Sequence, residues 1–306
     1  MQIGLAVGDV RGPATLATVV NQVRVAADSG FATAWASQAL GWDALTALAV
    51  AGATSDIAVG TAVVPAPQRH PLMLAGQALT AQAAVTGPLT LGVGAGIGAM
   101  VSGMFGLPTD RPVRRMREYL SVLGPLLRGD SVDHHGETLT AVGAVLIPGG
   151  IPAPSVVLAA LGPHMLRLAG ELTDGTATWM TGPKTLAEHI VPVITKAAAE
   201  AGRASPRIIA GLPVCVTDTA DDVRARIAEQ FALAAQVPEY RATLDREGAT
   251  GPQDVAIVGT DIEVAQALTR FRAAGVTEFM AAPYGTTAEQ NRTISVLAEL
   301  ALTETR

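Results

Sequence analysis

Short apolar runs rich in β-branched residues alternate along the chain with longer stretches whose apolar positions recur every three or four residues. The short runs read as strands over 2–7, 32–37, 57–63, 89–94, 155–160, 175–179, 208–216 and 276–281. The longer stretches read as helices over 15–29, 44–54, 72–84, 113–127, 163–172, 185–201, 220–235 and 263–274, with a further helix from Ala288. Such alternation implies parallel strands joined by crossover helices. Eight units favour closure into a (β/α)8 TIM barrel, an α/β fold, over an open doubly wound sheet, and no Gly-x-Gly-x-x-Gly follows the first strand. Two segments exceed the minimal repeat: 129–150 reads as a hairpin insertion, and 236–259 as an irregular insertion before the last helix–strand–helix stretch.

The stretch "VVLAALGPHMLRLAGELTDGTATW" shows the repeat in miniature. Val156 and Val157 open a strand, Gly162-Pro163 turns it, Leu166 and Leu168 lie on a helix, and Asp174-Gly175 returns the chain to a strand. Proline is accommodated at the first helical position, and the free N–H groups of that turn make an anion site.

A chain of 306 residues with 49% hydrophobic and 16% charged residues can bury a large core as one domain, 1–306. A formal net charge of -6 without a dense basic patch argues against nucleic acid and an anionic membrane surface. The one basic knot, Arg111, Arg114, Arg115 and Arg117, reads as an ion-pairing or solvated face. The single cysteine, Cys215, stands in an apolar strand as a buried thiol, which excludes a disulfide framework or thiolate metal cluster. No secretory leader or bilayer-length apolar run is apparent, so a cytoplasmic location is expected.

In a barrel the chemistry sits at the C-terminal ends of the strands. Those ends are poor in acids, bases and metal ligands: apart from Asp9 there are no paired carboxylates, and no His-x-His follows the first strand. With so few reactive side chains, a cofactor is expected to carry the chemistry, and no metal is expected. His70 stands at a helix entry and also reads as a cap; His164 stands at the anion turn.

Taken together, "IGLAVG", "GFATAWASQ", "IAVGTAVVPAPQRHPLMLAGQALT", "LTLGVGAG", "MFGLPTDRPVRRMREYLSVLGPLL", "ALGPHMLRLAGELTDGTATWMTGP" and "FRAAGVTEFMAAPYG" resemble the luciferase-like flavin and deazaflavin oxidoreductases, most of all their coenzyme F420-dependent branch. The resemblance runs nearly end to end. It implies hydride transfer between the deazaflavin and a small, hydrophobic organic substrate with an activated C=C, C=N or alcohol carbon. It implies a phosphate site at Gly162, Pro163, His164 and Met165, approached through Ala160 and Leu161, and a non-proline cis peptide at Ala62–Val63 against the ring. Ser37, Gln38, Gly94 and Gly96 complete the expected cofactor surroundings. Relatives carry polar pairs where this chain has Ser37-Gln38 and Gly96-Ile97, which leaves Gln38, His70, Tyr284 and water as proton donors. The expected substrate pocket comprises Asp9, Trp42, Ile97, Met100, Met104, Phe105 and Trp179, whereas Trp35 is expected in the core. Flavin mononucleotide (FMN) on the same barrel is the alternative cofactor, and the apolar Gly96–Ala99 loop raises a non-catalytic binding protein as a third reading. The family commonly forms homodimers through early helices, and "LTALAVAGAT" and "LMLAGQALTAQAAV" fit such a face.

Overall fold

The computed structural model describes residues 1–304. Eight parallel strands close a barrel: β1 (Gln2–Val7), β2 (Thr33–Ala36), β3 (Ala58–Thr61), β4 (Leu89–Gly94), β5 (Ser155–Ala159), β6 (Gly175–Trp179), β7 (Arg207–Val216) and β8 (Glu278–Pro283). Each pairs with the next in order, and β8 closes on β1 with Gln2 opposite Glu278 and Leu5 opposite Ala281. All eight strands expected from the alternation are present. Two short strands escaped the sequence reading: Val64–Pro65 beside β4, and Ile257–Gly259 on the far end of the long β7.

Helix boundaries follow local chemistry. Thr15 and Asp43 cap Leu16–Asp28 and Ala44–Gly52 with side-chain oxygens, and Thr260 with Glu263 forms a capping box on Asp261–Ala273. The 129–150 segment contains an antiparallel hairpin, Val132–His135 with Thr140–Gly143. The segment expected to be irregular, 236–259, holds the helix Pro238–Glu247, ended by Gly248 at φ 80°. A second helix missed in the sequence, Gly98–Phe105, follows β4; its glycines and small residues hid a period that only Val101 anchors by burial.

The main core lies between the strands and the helices, where Leu5, Val7, Val59, Leu91, Leu158 and Leu212 face outward. Inside the barrel lies a separate, smaller cluster of Ala6, Trp35, Val157, Ala177, Ile209, Met280 and Ala282. Trp35 is fully buried there, as expected. Gly4 and Gly60 make room for it, because a Cβ on either would overlap the indole. The indole Nε1 donates to Glu278 Oε1 at 2.7 Å, and Arg207 Nη2 meets Glu278 Oε2 at 2.9 Å while its Nη1 donates to Thr90 Oγ1 at 2.9 Å. A large ring and a paired acid thus fill the N-terminal half, whereas toward the C-terminal end Ala62, Val63, Val10 and Trp179 border the interior cluster and are only partly buried.

Arg207→Met leaves Glu278 buried with no cation. The variant is expected to lose about 3 kcal/mol or more in denaturant unfolding; an unchanged midpoint would show that the pair does not hold the barrel.

Candidate active site

The mouth is built from turns that follow strand ends, and each inherits its place from backbone pairing. After β2, Ala36 O accepts from Ala62 N at 2.8 Å, drawing the end of β3 against β2. The Ala62–Val63 peptide that follows is cis, as the resemblance implied. Val63 lies against β4, where a Cβ on Gly92 or Gly94 would collide with it. Ala62 and Val63 remain half-buried and border the interior cluster, so they form part of the floor of the mouth.

Gln38 stands beside this bulge, its N–H facing Val63 O at 3.4 Å. Its side-chain Oε1 accepts from Ala44 N at 3.1 Å and Arg69 Nη2 at 3.0 Å, which fixes the amide orientation. Among the described residues its NH2 group has no protein partner and is free to donate. Arg69 also pairs with Asp43, and Tyr119 Oη donates to Arg69 O at 2.9 Å, so the cation that orients Gln38 is itself held from two sides. Ser37 is exposed.

Two Gly-Pro helix starts face the mouth, and they differ in one respect. At Gly182-Pro183 the Glu247 carboxylate already accepts from Lys184 N at 3.1 Å and Thr185 N at 2.8 Å. At Gly162-Pro163, which starts Pro163–Leu172, no side chain among the described residues caps the turn, and the amides of His164 and Met165 stay available. Ala160 is buried and Leu161 half-buried, and Leu161 O accepts from His189 Nε2 at 3.0 Å. His189 lies in a π-helical turn, Leu186–Ile190, which brings its ring to the anion turn. Sequence reading missed His189 because a π-bulge leaves no periodic trace in one helix.

His164 is exposed, and its Nδ1 accepts from Arg167 Nη1 at 3.3 Å. It shares a cleft of about 530 Å3 with Val113, Arg114, Arg117 and Glu118. The basic knot is extensively paired: Arg111 with Asp110 and Glu137, Arg114 with Glu118 and Glu137, Arg115 with Asp110, and Arg117 with Glu171. Glu118 is buried and accepts from Glu137 N, Thr138 N, Thr138 Oγ1 and Arg114 Nε, pinning the hairpin to the barrel. Burial raises its carboxyl, but those hydrogen bonds outweigh that effect and bring it down to about 2.

The remaining expected residues divide by place. His70 uses both ring nitrogens, Nδ1 accepting from Leu72 N at 3.3 Å and Nε2 meeting Thr140 O at 2.9 Å, so it caps a helix and ties the hairpin down. That engagement removes it from the proton donors. Tyr284 Oη donates to Gln230 Oε1 at 3.0 Å, and burial raises its phenol, which stays protonated near neutral pH. Trp179 at the end of β6 meets Phe231 edge-on at 6.2 Å, and Phe231 meets Tyr284 at 6.4 Å. Asp9 lies over Gly41, and Trp42 Nε1 donates to Ala14 O at 2.8 Å while its ring stays exposed. Gly96, at φ 74°, turns the chain into the helix capped by Ile97; Met100 is half-buried, and Met104 and Phe105 are exposed. Cys215 is buried, and burial pushes its thiol up to about 11. Among the described residues no cluster has the makeup of a metal site.

Comparison with known proteins places this geometry. The luciferase-like monooxygenase family model matches residues 1–278. A 5,10-methylenetetrahydromethanopterin reductase from Archaeoglobus fulgidus is 31% identical over 74% of this chain and 68% of its own length. The coenzyme F420 dependent tetrahydromethanopterin reductase from Methanopyrus kandleri superposes with a TM-score of 0.80 at 21% identity, covering 100% of this chain and 99% of that one. An F420-dependent secondary alcohol dehydrogenase, solved with an F420-acetone adduct, superposes at 0.83 and 19% identity over 97% of each chain.

Because the Glu118 carboxyl lies below its ordinary value of 4.5, its contribution is complete above 4.5 and is lost as pH falls towards 2. The gap in thermal midpoint between wild type and Glu118→Gln is therefore expected to narrow over that range. A constant gap would contradict the hairpin anchor.

Proposed function

The chain belongs to the luciferase-like monooxygenase family, and from that premise we propose that it is a coenzyme F420-dependent oxidoreductase acting on a small organic substrate at the barrel mouth. The observation that carries this reading is the Gly162–Met165 turn, whose amides are unclaimed while the parallel turn at Gly182 is filled by Glu247. The residues present fit the cofactor. Ala62 and Val63 are half-buried at the border of the barrel interior, and the free turn suits a phosphate. The exposed His164 stands beside that turn, in a cleft with Arg114 and Arg117, whose charges are paired with Glu118, Glu137 and Glu171. The F420-dependent reductase and dehydrogenase with the same fold support the choice.

When bound, the deazaflavin supplies hydride transfer to or from a substrate carbon. The protein's own part is positioning and charge. The His164 and Met165 amides would hold the phosphate, and Ala62 and Val63 would lie against the ring. Gln38, its amide fixed by Arg69, donates a hydrogen bond to negative charge at the ring or substrate; an amide does not give up its proton, so it orients without protonating. Tyr284, neutral near pH 7, hands a proton over only when its hydroxyl exchanges Gln230 for the substrate or a water. Trp42, Ile97, Met100, Met104, Phe105 and Trp179 offer an apolar wall above the mouth, and the exposure of Met104 and Phe105 suits a surface completed by bound substrate. The fixed Gln38 amide and the free turn together favour catalysis over a barrel that only binds.

Parallel fluorescence titrations of the full chain with F420 and FMN are expected to show saturable binding of the deazaflavin at lower concentration. His164→Glu, which sets a carboxylate beside the free amides, is expected to weaken it about tenfold or more. Preference for FMN would overturn the cofactor assignment, and an unaffected His164→Glu would overturn the phosphate turn.

A further inference from the structure

The cofactor reading leaves one shielded cation unused. Arg11 follows β1, and in an eight-strand ring β1 lies across from β5, whose turn holds the proposed phosphate site. Arg11 Nε and Nη2 both donate to Gln290 Oε1, at 3.2 and 3.0 Å. Its Nη1 is shielded from solvent and has no hydrogen-bond partner among the described residues. Burial lowers this guanidinium to about 10, with no acid offsetting it, so it stays charged and uncompensated at neutral pH. Neither nearby acid is its counter-ion. Glu289 accepts from Thr286 N, Thr286 Oγ1 and Thr217 Oγ1 and pairs with Arg226, whereas Asp9 is exposed and makes no ion pair with Arg11.

Arg11 borders a cleft of about 320 Å3 with Val10, Arg226, Gln230, Tyr284 and Thr286. Val10 also packs on the cluster inside the barrel, so the cleft adjoins the mouth. Phe231, touching both Tyr284 and Trp179, extends an apolar wall between them.

We propose that this cleft binds the carboxylate of the substrate, with Arg11 as its counter-ion, so that the substrate is a small carboxylic acid whose apolar body lies along Tyr284, Phe231 and Trp179. The assignment rests on the redox reading for its location at the reacting site. A carboxylate fits better than a phosphate dianion because Arg226 is already neutralised by Glu289, leaving the single positive charge of Arg11 at the cleft. Held across the mouth from the phosphate turn, the acid would present its far carbons to the ring between the two anion sites.

The test is calorimetric titration of the full chain, without cofactor, with hexanoate, 1-hexanol and inorganic phosphate, on wild type and Arg11→Met. Hexanoate is expected to bind saturably, about tenfold or more tighter than hexanol, and to lose that advantage in the variant. Arg11→Met is expected to keep or raise the thermal midpoint, since it removes an uncompensated charge; a variant that fails to fold would mark Arg11 as a structural cation and overturn the proposal. Equal wild-type affinity for hexanoate and hexanol would overturn it whether or not the variant folds, and so would tighter binding of phosphate. Titrating the same sample with F420 separates the two readings. Deazaflavin binding without a hexanoate preference overturns the carboxylate site alone, and hexanoate binding without deazaflavin binding supports that site while overturning the cofactor assignment.

Discussion

A closed ring of eight strands has a narrow interior, and in this protein one buried acid decides how it is used. Glu278 joins the Trp35 indole to the Arg207 guanidinium at the N-terminal end of the barrel. The indole fits because Gly4 and Gly60 give way to it. Bulk and charge are concentrated there, and the side chains that border the interior at the C-terminal end, Val10, Ala62, Val63 and Trp179, are only partly buried.

In the proposed site the barrel mouth acts largely through the backbone. Its proposed floor is a peptide bulge seated on β4 glycines, and its proposed anion turn is a helix start with no side-chain cap among the described residues. Side chains act mainly by holding other groups in place: Arg69 fixes Gln38, His189 meets the carbonyl before Gly162, and Glu247 fills the competing helix start. Such a site suits chemistry supplied by a bound cofactor, where position matters more than side-chain acidity. It also explains why strand ends so poor in acids and bases can belong to a redox family.

The strands and most helices were legible because buried parallel strands and amphipathic helices leave distinct periods in the sequence. The Gly162-Pro163 turn and the bulge at Ala62–Val63 were legible from local motifs and resemblance. Arg69, Glu118 and His189 were not, since each acts across 20 or more residues on a partner that only the fold brings near. Arg11 was hidden differently. Its significance lies in a missing counter-ion, which is a property of the folded surroundings and has no sequence signature. His70 shows the converse: a histidine at a strand-end loop looks chemical until one nitrogen is found capping a helix and the other tying down the hairpin.

The central claim is that a deazaflavin lies in this mouth with its phosphate on the free turn. Amide hydrogen exchange of the full chain with and without F420 tests it most directly. The account predicts new protection at 160–166 and around 62–66, with the turn at 182–185, already occupied by Glu247, unchanged. Protection at 182–185 instead, or none at 160–166 under saturating F420, would contradict it.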